Sequence, residues 1–245
     1  MTANHTLKNR RGFLGATGAA LMLGSLPFAA RVAGAQAGKT RIGIIGSGRI
    51  GGTLGRIWAG AGHSVMFSSL DLDHDKKLAA EVGANASAGT PRQAAAFGEV
   101  LLVAVPYHAL PSVGKDLGAL LKGKVVIDAC NPIASRDGEI VKWAEEKGAG
   151  LASAELLPGA RIVRAFNAVG YSRLPDAAGR KPRYGMPIAG DDPKAIAIAS
   201  GLIRDVGYEP VLIGPLAMGR YLVPRQPLAG ERLPEEIRKI AATLK

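Results

Sequence analysis

The chain has 245 residues, 47% of them apolar and 21% charged, which excludes a disordered or low-complexity polypeptide and allows one sizeable core. Its formal net charge of +11 suits an anionic ligand, but no basic run or aromatic platform accompanies it, so nucleic acid is not the expected partner. A single cysteine, Cys130, excludes an internal disulfide and a cysteine-based zinc or iron–sulfur cluster within one chain, and no metal site is expected.

Residues 1–37 read as an address rather than as structure. Arg10-Arg11 precede Phe13-Leu14, a modestly apolar run spans Ala16 to Ala30, and Ala35-Gln36-Ala37 has the small-x-small pattern of a signal-peptidase site. This resembles a bacterial twin-arginine signal and implies a periplasmic destination, with no stable membrane insertion after processing. The competing reading is a retained anchor, against which stand the shortness of the run and its interruption by Gly24, Ser25 and Pro27. Four of the 31 basic residues and no acidic residue lie here, leaving 27 against 20, a net +7, on the remainder.

From residue 38 onward, apolar strands alternate with helical patterns. Arg41–Ile45 reads as a buried strand, followed by Gly46-Ser47-Gly48-Arg49-Ile50-Gly51 and then by Leu54, Ile57 and Trp58 at helical spacing. Ser64–Phe67 is a second strand, Asp73–Val82 a helix, Asn85–Ala88 a short strand, and Thr90-Pro91 a cap for a helix over Arg92–Phe97. Val100–Val105 is the clearest strand. Helix Leu110–Leu121, strand Lys124–Ala129, helix Ile140–Lys147 and strand Arg161–Phe166 follow. The tail repeats the alternation with Pro187–Ala189, Pro193–Val206, Pro210–Ile213 and a terminal helix from Pro234. The expected fold is α/β, a doubly wound Rossmann-type parallel sheet, with residues 38–160 as the dinucleotide-binding domain and 161–245 as a small C-terminal α/β extension completing the cleft.

The glycine loop lies between a strand and an amphipathic helix, the context its motif requires. Gly46 permits a tight turn, Gly48 removes a side chain where a pyrophosphate approaches, and Gly51 lets the helix pack on the strand. The second strand ends in Ser68-Ser69 rather than in an acidic residue that would hold a ribose hydroxyl. Two serines leave room for a 2′-phosphate and can hydrogen-bond it, so NADP is favoured and NAD remains open.

Several stretches taken together resemble the coenzyme F420-dependent NADP oxidoreductases, whose dinucleotide domain is akin to that of pyrroline-5-carboxylate reductase. They are Gly43–Gly51, Val105–Leu110, Val126–Pro132, Val163–Gly170, Gly190–Asp192 and Gly214–Leu222. The resemblance implies that Ser47, Gly48, Arg49 and Ile50 cradle a pyrophosphate, that Ser69 meets the 2′-phosphate, and that Val105 and Ala165 line the nicotinamide half. Leu70 stands where that family often has arginine. The long C-terminal helical domain of pyrroline-5-carboxylate reductases has no counterpart here, which counts against that activity. The implied function is hydride transfer between NADP(H) and a small-molecule redox acceptor, a flavin or the deazaflavin F420. The alternative is an exported dinucleotide-binding module or redox subunit without turnover, and a homodimer is the assembly to test for.

Carriers that exchange hydride need alignment and exclusion of water more than acid–base groups. Among the titratable residues, His63 reads as structural and His74 as solvated. His108 follows a strand's carboxyl end, where α/β sheets bind ligands, and is the candidate catalytic residue. With Tyr107 it is the proton donor that a ketone or imine reductase would need. Cys130 is either a small buried residue or a reactive thiol. Asn131 is placed to hydrogen-bond near the nicotinamide ribose, and Arg220 and Tyr221 to hold an anionic acceptor or to form a packed face.

Overall fold

A parallel strand buried on both faces must send alternate side chains into two different cores, and the strands here do so. Ile42, Ile44, Val100, Leu102, Val125, Ile127 and Val163 enter one apolar cluster. Ile45, Leu101, Val103, Val126 and Ile162 enter the other. This period-two partition is what near-continuous apolar runs mean in a sheet covered by helices on both sides.

The computed structural model describes residues 39–244, so the leader assigned to residues 1–37 lies outside the described residues. Along the chain run β1 (Arg41–Ile45), α1 (Arg49–Gly60), β2 (Ser64–Ser68), α2 (Leu72–Val82), β3 (Ala86–Ala88) and α3 (Pro91–Phe97). Next come β4 (Val100–Val103), α4 (Leu110–Leu121), β5 (Val125–Asp128), α5 (Ala134–Asp137), α6 (Ile140–Lys147) and α7 (Ala149–Leu156). The remainder comprises β6 (Arg161–Arg164), β7 (Gly185–Gly190), α8 (Pro193–Val206), β8 (Glu209–Gly214) and α9 (Pro234–Ala241). The strands form one sheet in the order β3-β2-β1-β4-β5-β6-β7-β8. All neighbours are parallel except β6 and β7, which pair antiparallel through Val163–Gly190 and Arg164–Ala189. The chain order reverses between β1 and β4, which makes their carboxyl ends the topological switch point.

Three expectations change in detail. The fully parallel sheet acquires one antiparallel junction, because β7 returns from an irregular segment rather than over a crossover helix. The strand expected over Val100–Val105 ends at Val103, since its neighbour β1 ends at Ile45, and Val105 turns toward the glycine loop. Helix α7, Ala-Gly-Leu-Ala-Ser-Ala-Glu-Leu, was not legible, because small residues on all sides leave no apolar stripe to read. Segment 161–245 joins the first segment's sheet through the β5–β6 pairing. It also covers one face with α8, where the Trp58 indole Nε1–H donates to the Leu202 carbonyl at 2.9 Å.

Gly43 in β1 is where α3 approaches the sheet. A Cβ there would lie 2.1 Å from the Ala94 carbonyl oxygen and 2.8 Å from a Leu101 methyl. The carbonyl cannot retreat without moving α3, so Gly43→Ala is expected to lower unfolding free energy by about 1–3 kcal/mol. Urea denaturation followed by circular dichroism checks this; an unchanged midpoint would refute the close approach.

Candidate functional site

The residues singled out from sequence converge on the carboxyl edge of the sheet. The glycine loop follows β1, Ser69 follows β2, Val105 lies beyond β4, Asn131 beyond β5, and Ala165 directly after β6. Gly46 adopts φ +100°, and the amides of Gly46 and Ser47 donate to the Ser68 carbonyl at 2.8 and 3.0 Å. This fixes the loop across β1 and β2. At Gly51 a Cβ would stand 2.0 Å from the Gly46 carbonyl oxygen, whereas at Gly48 it would meet nothing within 4 Å. Gly51 is therefore required by packing, while Gly48 leaves open space on the ligand side. Gly48 caps α1 without a side-chain hydrogen bond. The first-turn amides of Arg49, Ile50 and Gly51 have no intrahelical acceptor and are the donors an anion would take. The Arg49 guanidinium lies 5.5 Å from the Tyr171 ring centroid, above the same edge.

Two assignments change. Ser68 is fully buried and its hydroxyl donates to the Ile44 carbonyl at 2.6 Å. It shapes the loop and is not available to a phosphate. Ala165 is also fully buried within the core, so it packs there rather than lining the nicotinamide half. The next residue explains this: Phe166, at φ +66°, turns the chain and buries its ring edge-on against Trp58 at 6.0 Å. Ser69 has its hydroxyl 2.9 Å from a carboxylate oxygen of Asp75, a residue not anticipated at this site.

Beyond β5 and β6 lies a network that sequence reasoning missed. Arg164 and Asp128 are both wholly buried and pair at 2.6 Å. The same guanidinium donates to Asn131 Oδ1 at 3.1 Å and to the carbonyls of Gly219 and Leu222 at 3.2 and 3.1 Å. Asn131 is held in turn, donating to the Asn167 carbonyl at 3.1 Å and accepting from the Asn167 amide at 3.3 Å. An arginine inside an otherwise apolar strand was the readable signal, since charged residues are buried only when paired.

The three candidate proton carriers separate by environment. The Tyr107 hydroxyl is enclosed, 3.0 Å from the Ala149 carbonyl and 3.1 Å from Ser153 Oγ, and burial raises its pKa well above the ordinary phenol value. Cys130 is buried with its thiol 3.4 Å from the Val103 carbonyl; burial, and then the nearby Asp128, push the thiol's pKa well up, so it packs rather than reacts. His108 keeps half its side chain exposed while Nδ1 lies 2.9 Å from Asp137 Oδ1. Asp137 is enclosed and also accepts from Arg136 Nε and Nη2 at 3.0 and 2.8 Å and from the Ile133 amide at 2.8 Å. Burial alone would raise its pKa, but the Arg136, Ile133 and His108 hydrogen bonds outweigh this and hold the carboxyl well below its usual range. With Nδ1 facing a carboxylate, Nε2 is the nitrogen left to meet a substrate, an arrangement that can move a proton.

Next to Asn131 a cavity of about 950 Å³ opens between the loop at Pro132–Ser135, Ala149 of α7 and the segment Arg220–Gln226. Arg220, Tyr221 and Arg225 stand on its wall. His63, by contrast, is structural, accepting from the Thr40 amide and facing Asp205 at 3.0 Å. His74 is exposed on α2.

Two consequences can be measured. Arg164→Met leaves Asp128 buried without its counter-charge and is expected to lower unfolding free energy by about 3–5 kcal/mol; loss below about 1 kcal/mol by urea titration would show the pair to be incidental. Asp137 titrates lower in the folded than in the unfolded chain, so its contribution is present above about pH 4 and is lost as pH falls below that. The stability gap between wild type and Asp137→Asn should therefore narrow between about pH 4 and pH 2. A gap that stays constant across that range would contradict the assigned hydrogen bonds.

Residues 41–132 match the family described as NADP oxidoreductase, coenzyme F420-dependent. Among solved structures, a hypothetical protein from Sinorhizobium meliloti is 25% identical, with a TM-score of 0.68 over 80% of this chain and 95% of its own. A protein from Arthrobacter sp. FB24 assigned as an F420-dependent NADP reductase is 19% identical, with a TM-score of 0.59 over 74% of this chain and 87% of its own. Pyrroline-5-carboxylate reductase from Coxiella burnetii is 18% identical, with a TM-score of 0.54, and is matched over 71% of this chain but 58% of its own length. No curated protein matches the chain. Residues 41–132 thus carry the signature of the coenzyme F420-dependent NADP oxidoreductases, on the fold of the NAD(P)-dependent oxidoreductases.

Proposed function

We propose that this chain transfers hydride between a nicotinamide dinucleotide and a flavin-like or deazaflavin acceptor. The supporting observation is the pairing of two features at one sheet edge. A cradle of open amides sits at the β1/β4 switch point, and a roomy cavity begins one residue past Asn131. The matched family is named for NADP, and NAD fits the same loop. Pyrophosphate goes to the amides of Arg49–Gly51 with Gly48 allowing close approach, and Arg49 supplies a cation. Val105 and Asn131 border the nicotinamide half, and Arg220 and Arg225 favour an acceptor carrying negative charge.

The dinucleotide supplies the hydride chemistry; the protein aligns it and excludes water. Reducing a flavin-type ring consumes one hydride and one proton. His108, oriented by Asp137, is the exposed group at this edge able to deliver that proton. Export by the twin-arginine route, proposed on residues 1–37 alone, fits a protein that folds around its coenzyme before transport.

The full chain, titrated with NADPH and NADH by fluorescence, should bind at least one of them and then oxidise it at 340 nm when FMN or F420 is added. Failure to bind either dinucleotide overturns the reading, and binding without turnover leaves a binding module. His108→Gln is expected to lower kcat by about 10²-fold with the coenzyme Kd unchanged; an unchanged kcat would remove His108 from the reaction.

A further inference from the structure

We propose that Asp75 selects the coenzyme, and that it selects against a 2′-phosphate, so that the cradle holds NAD(H) more tightly than NADP(H). The inference rests on the dinucleotide reading above and departs from the coenzyme for which the matched family is named.

Asp75 lies on the buried stripe of α2, with Leu78 and Ala79 three and four residues on. It is wholly inaccessible, yet none of the salt bridges among the described residues involves it. Its side chain is held by two hydroxyls, those of Ser47 and Ser69, both in the cradle. Ser47 belongs to the glycine loop, and Ser69 is the first residue past β2, where a Rossmann domain meets the adenosine ribose. Its own position in the first turn of α2 places it near the helix's positive end, which favours a carboxylate there.

A hydroxyl has one hydrogen to give. That of Ser47 is directed to Asp75. That of Ser69 has two protein acceptors, Asp75 Oδ2 at 2.9 Å and the Asp71 carbonyl at 3.2 Å, and Ser69 Oγ also accepts from the Asp71 amide. Ser68 gives its hydrogen to Ile44. Ser47 and Ser68 are buried, so Ser69 is the serine of the three that can meet a ligand, and it presents lone pairs. A ribose 2′-hydroxyl can donate to a lone pair. A 2′-phosphate carries about −1.5 to −2 charges and only acceptor oxygens, so it needs donors or cations.

Cations near this corner do not repair the mismatch. Leu70, fully exposed, occupies the position next to Ser69. Lys76 pairs with Asp73 at 3.2 Å, and Arg49 lies against the Tyr171 ring. His74 and Lys77 are exposed on α2, where solvent screens them. Asp75, one hydrogen bond behind Ser69 and shielded from water, is screened less, so its repulsion of a phosphate outlasts their attraction. A purely structural Asp75, pinning the loop to β2, would affect both dinucleotides alike, because they share every group except the 2′-phosphate.

The test is equilibrium binding of NAD+ and NADP+ to the full chain by calorimetry, at low and high salt. Wild type is expected to bind NAD+ at least about ten-fold more tightly than NADP+, with the gap persisting at high salt, where the exposed cations are screened and Asp75 is not. Asp75→Asn, close in size, should reduce the NADP+/NAD+ ratio of dissociation constants by roughly ten-fold, chiefly by tightening NADP+. Leu70→Arg, at an exposed site that cannot disturb the core, should shift the ratio the same way and keeps the proposal open to refutation if Asp75→Asn does not fold. Tighter NADP+ binding by wild type, or an Asp75→Asn protein that is folded but weakens both dinucleotides equally, overturns the proposal while leaving the dinucleotide reading intact. Binding of neither dinucleotide by wild type overturns that reading itself.

Discussion

The buried pair between Asp128 and Arg164 is the constraint on which the arrangement of the site depends. Two opposite charges held fully out of water are tolerated only when every remaining donor and lone pair is also used. Asp128 meets this by accepting the Cys130 amide at 2.8 Å, and Arg164 by reaching Asn131 and the carbonyls of Gly219 and Leu222. Four separate pieces of chain are thereby tied together: the ends of β5 and β6, the loop carrying Asn131, and the turn Leu216–Tyr221 beyond β8. The antiparallel β7 and its partner β8 could pack on the sheet edge by apolar contact alone. It is the guanidinium that draws the Gly219–Leu222 segment against Asn131, and this in turn forms one wall of the cavity.

Most of the fold was legible because the physical signals were local. Apolar runs of four to six residues, glycine and proline punctuation, and the Thr90-Pro91 cap located nearly every element to within a residue or two. Two kinds of information were not local. The direction of β7 depends on which neighbour it pairs with, and Gly-Met-Pro-Ile-Ala-Gly reads the same in either sense. Helix α7 is set by close backbone contact, since a Cβ at Gly150 would stand 2.2 Å from the Leu216 carbonyl oxygen, and nothing in its own composition announces that.

The site divides in the same way. Glycines whose necessity is steric, Gly46 and Gly51, were readable as a motif. Side chains whose role depends on a partner distant in sequence were misjudged or missed. Ser68 looked like a phosphate ligand because its neighbour β1, whose Ile44 carbonyl takes its hydrogen, does not show in a linear reading. Asp75 was passed over, although an acidic residue at i with Leu78, Ala79 and Val82 at i+3, i+4 and i+7 places a carboxylate on the apolar stripe of an amphipathic helix. That anomaly was present in the sequence, and it is the pattern by which a buried functional acid can be recognised.

Burial also decides which groups are left to do chemistry at the edge. Tyr107 and His108 follow β4 and Cys130 follows β5, all at the carboxyl edge of the sheet, and by residue type each can carry a proton. Enclosure raises the pKa of the first and the last, and engages both with backbone carbonyls. His108 escapes because it lies on a one-turn helix, Tyr107–Ala109, whose first residue is driven inward and whose second therefore faces out. The tyrosine's burial and the histidine's exposure are thus two results of the same turn. Asp137 then holds the exposed ring from below, while Arg136 ties that carboxylate to the Asn131 carbonyl at 2.8 Å. His108 and Asn131 are consequently positioned by one short loop. A change there is expected to disturb alignment and protonation together rather than either alone.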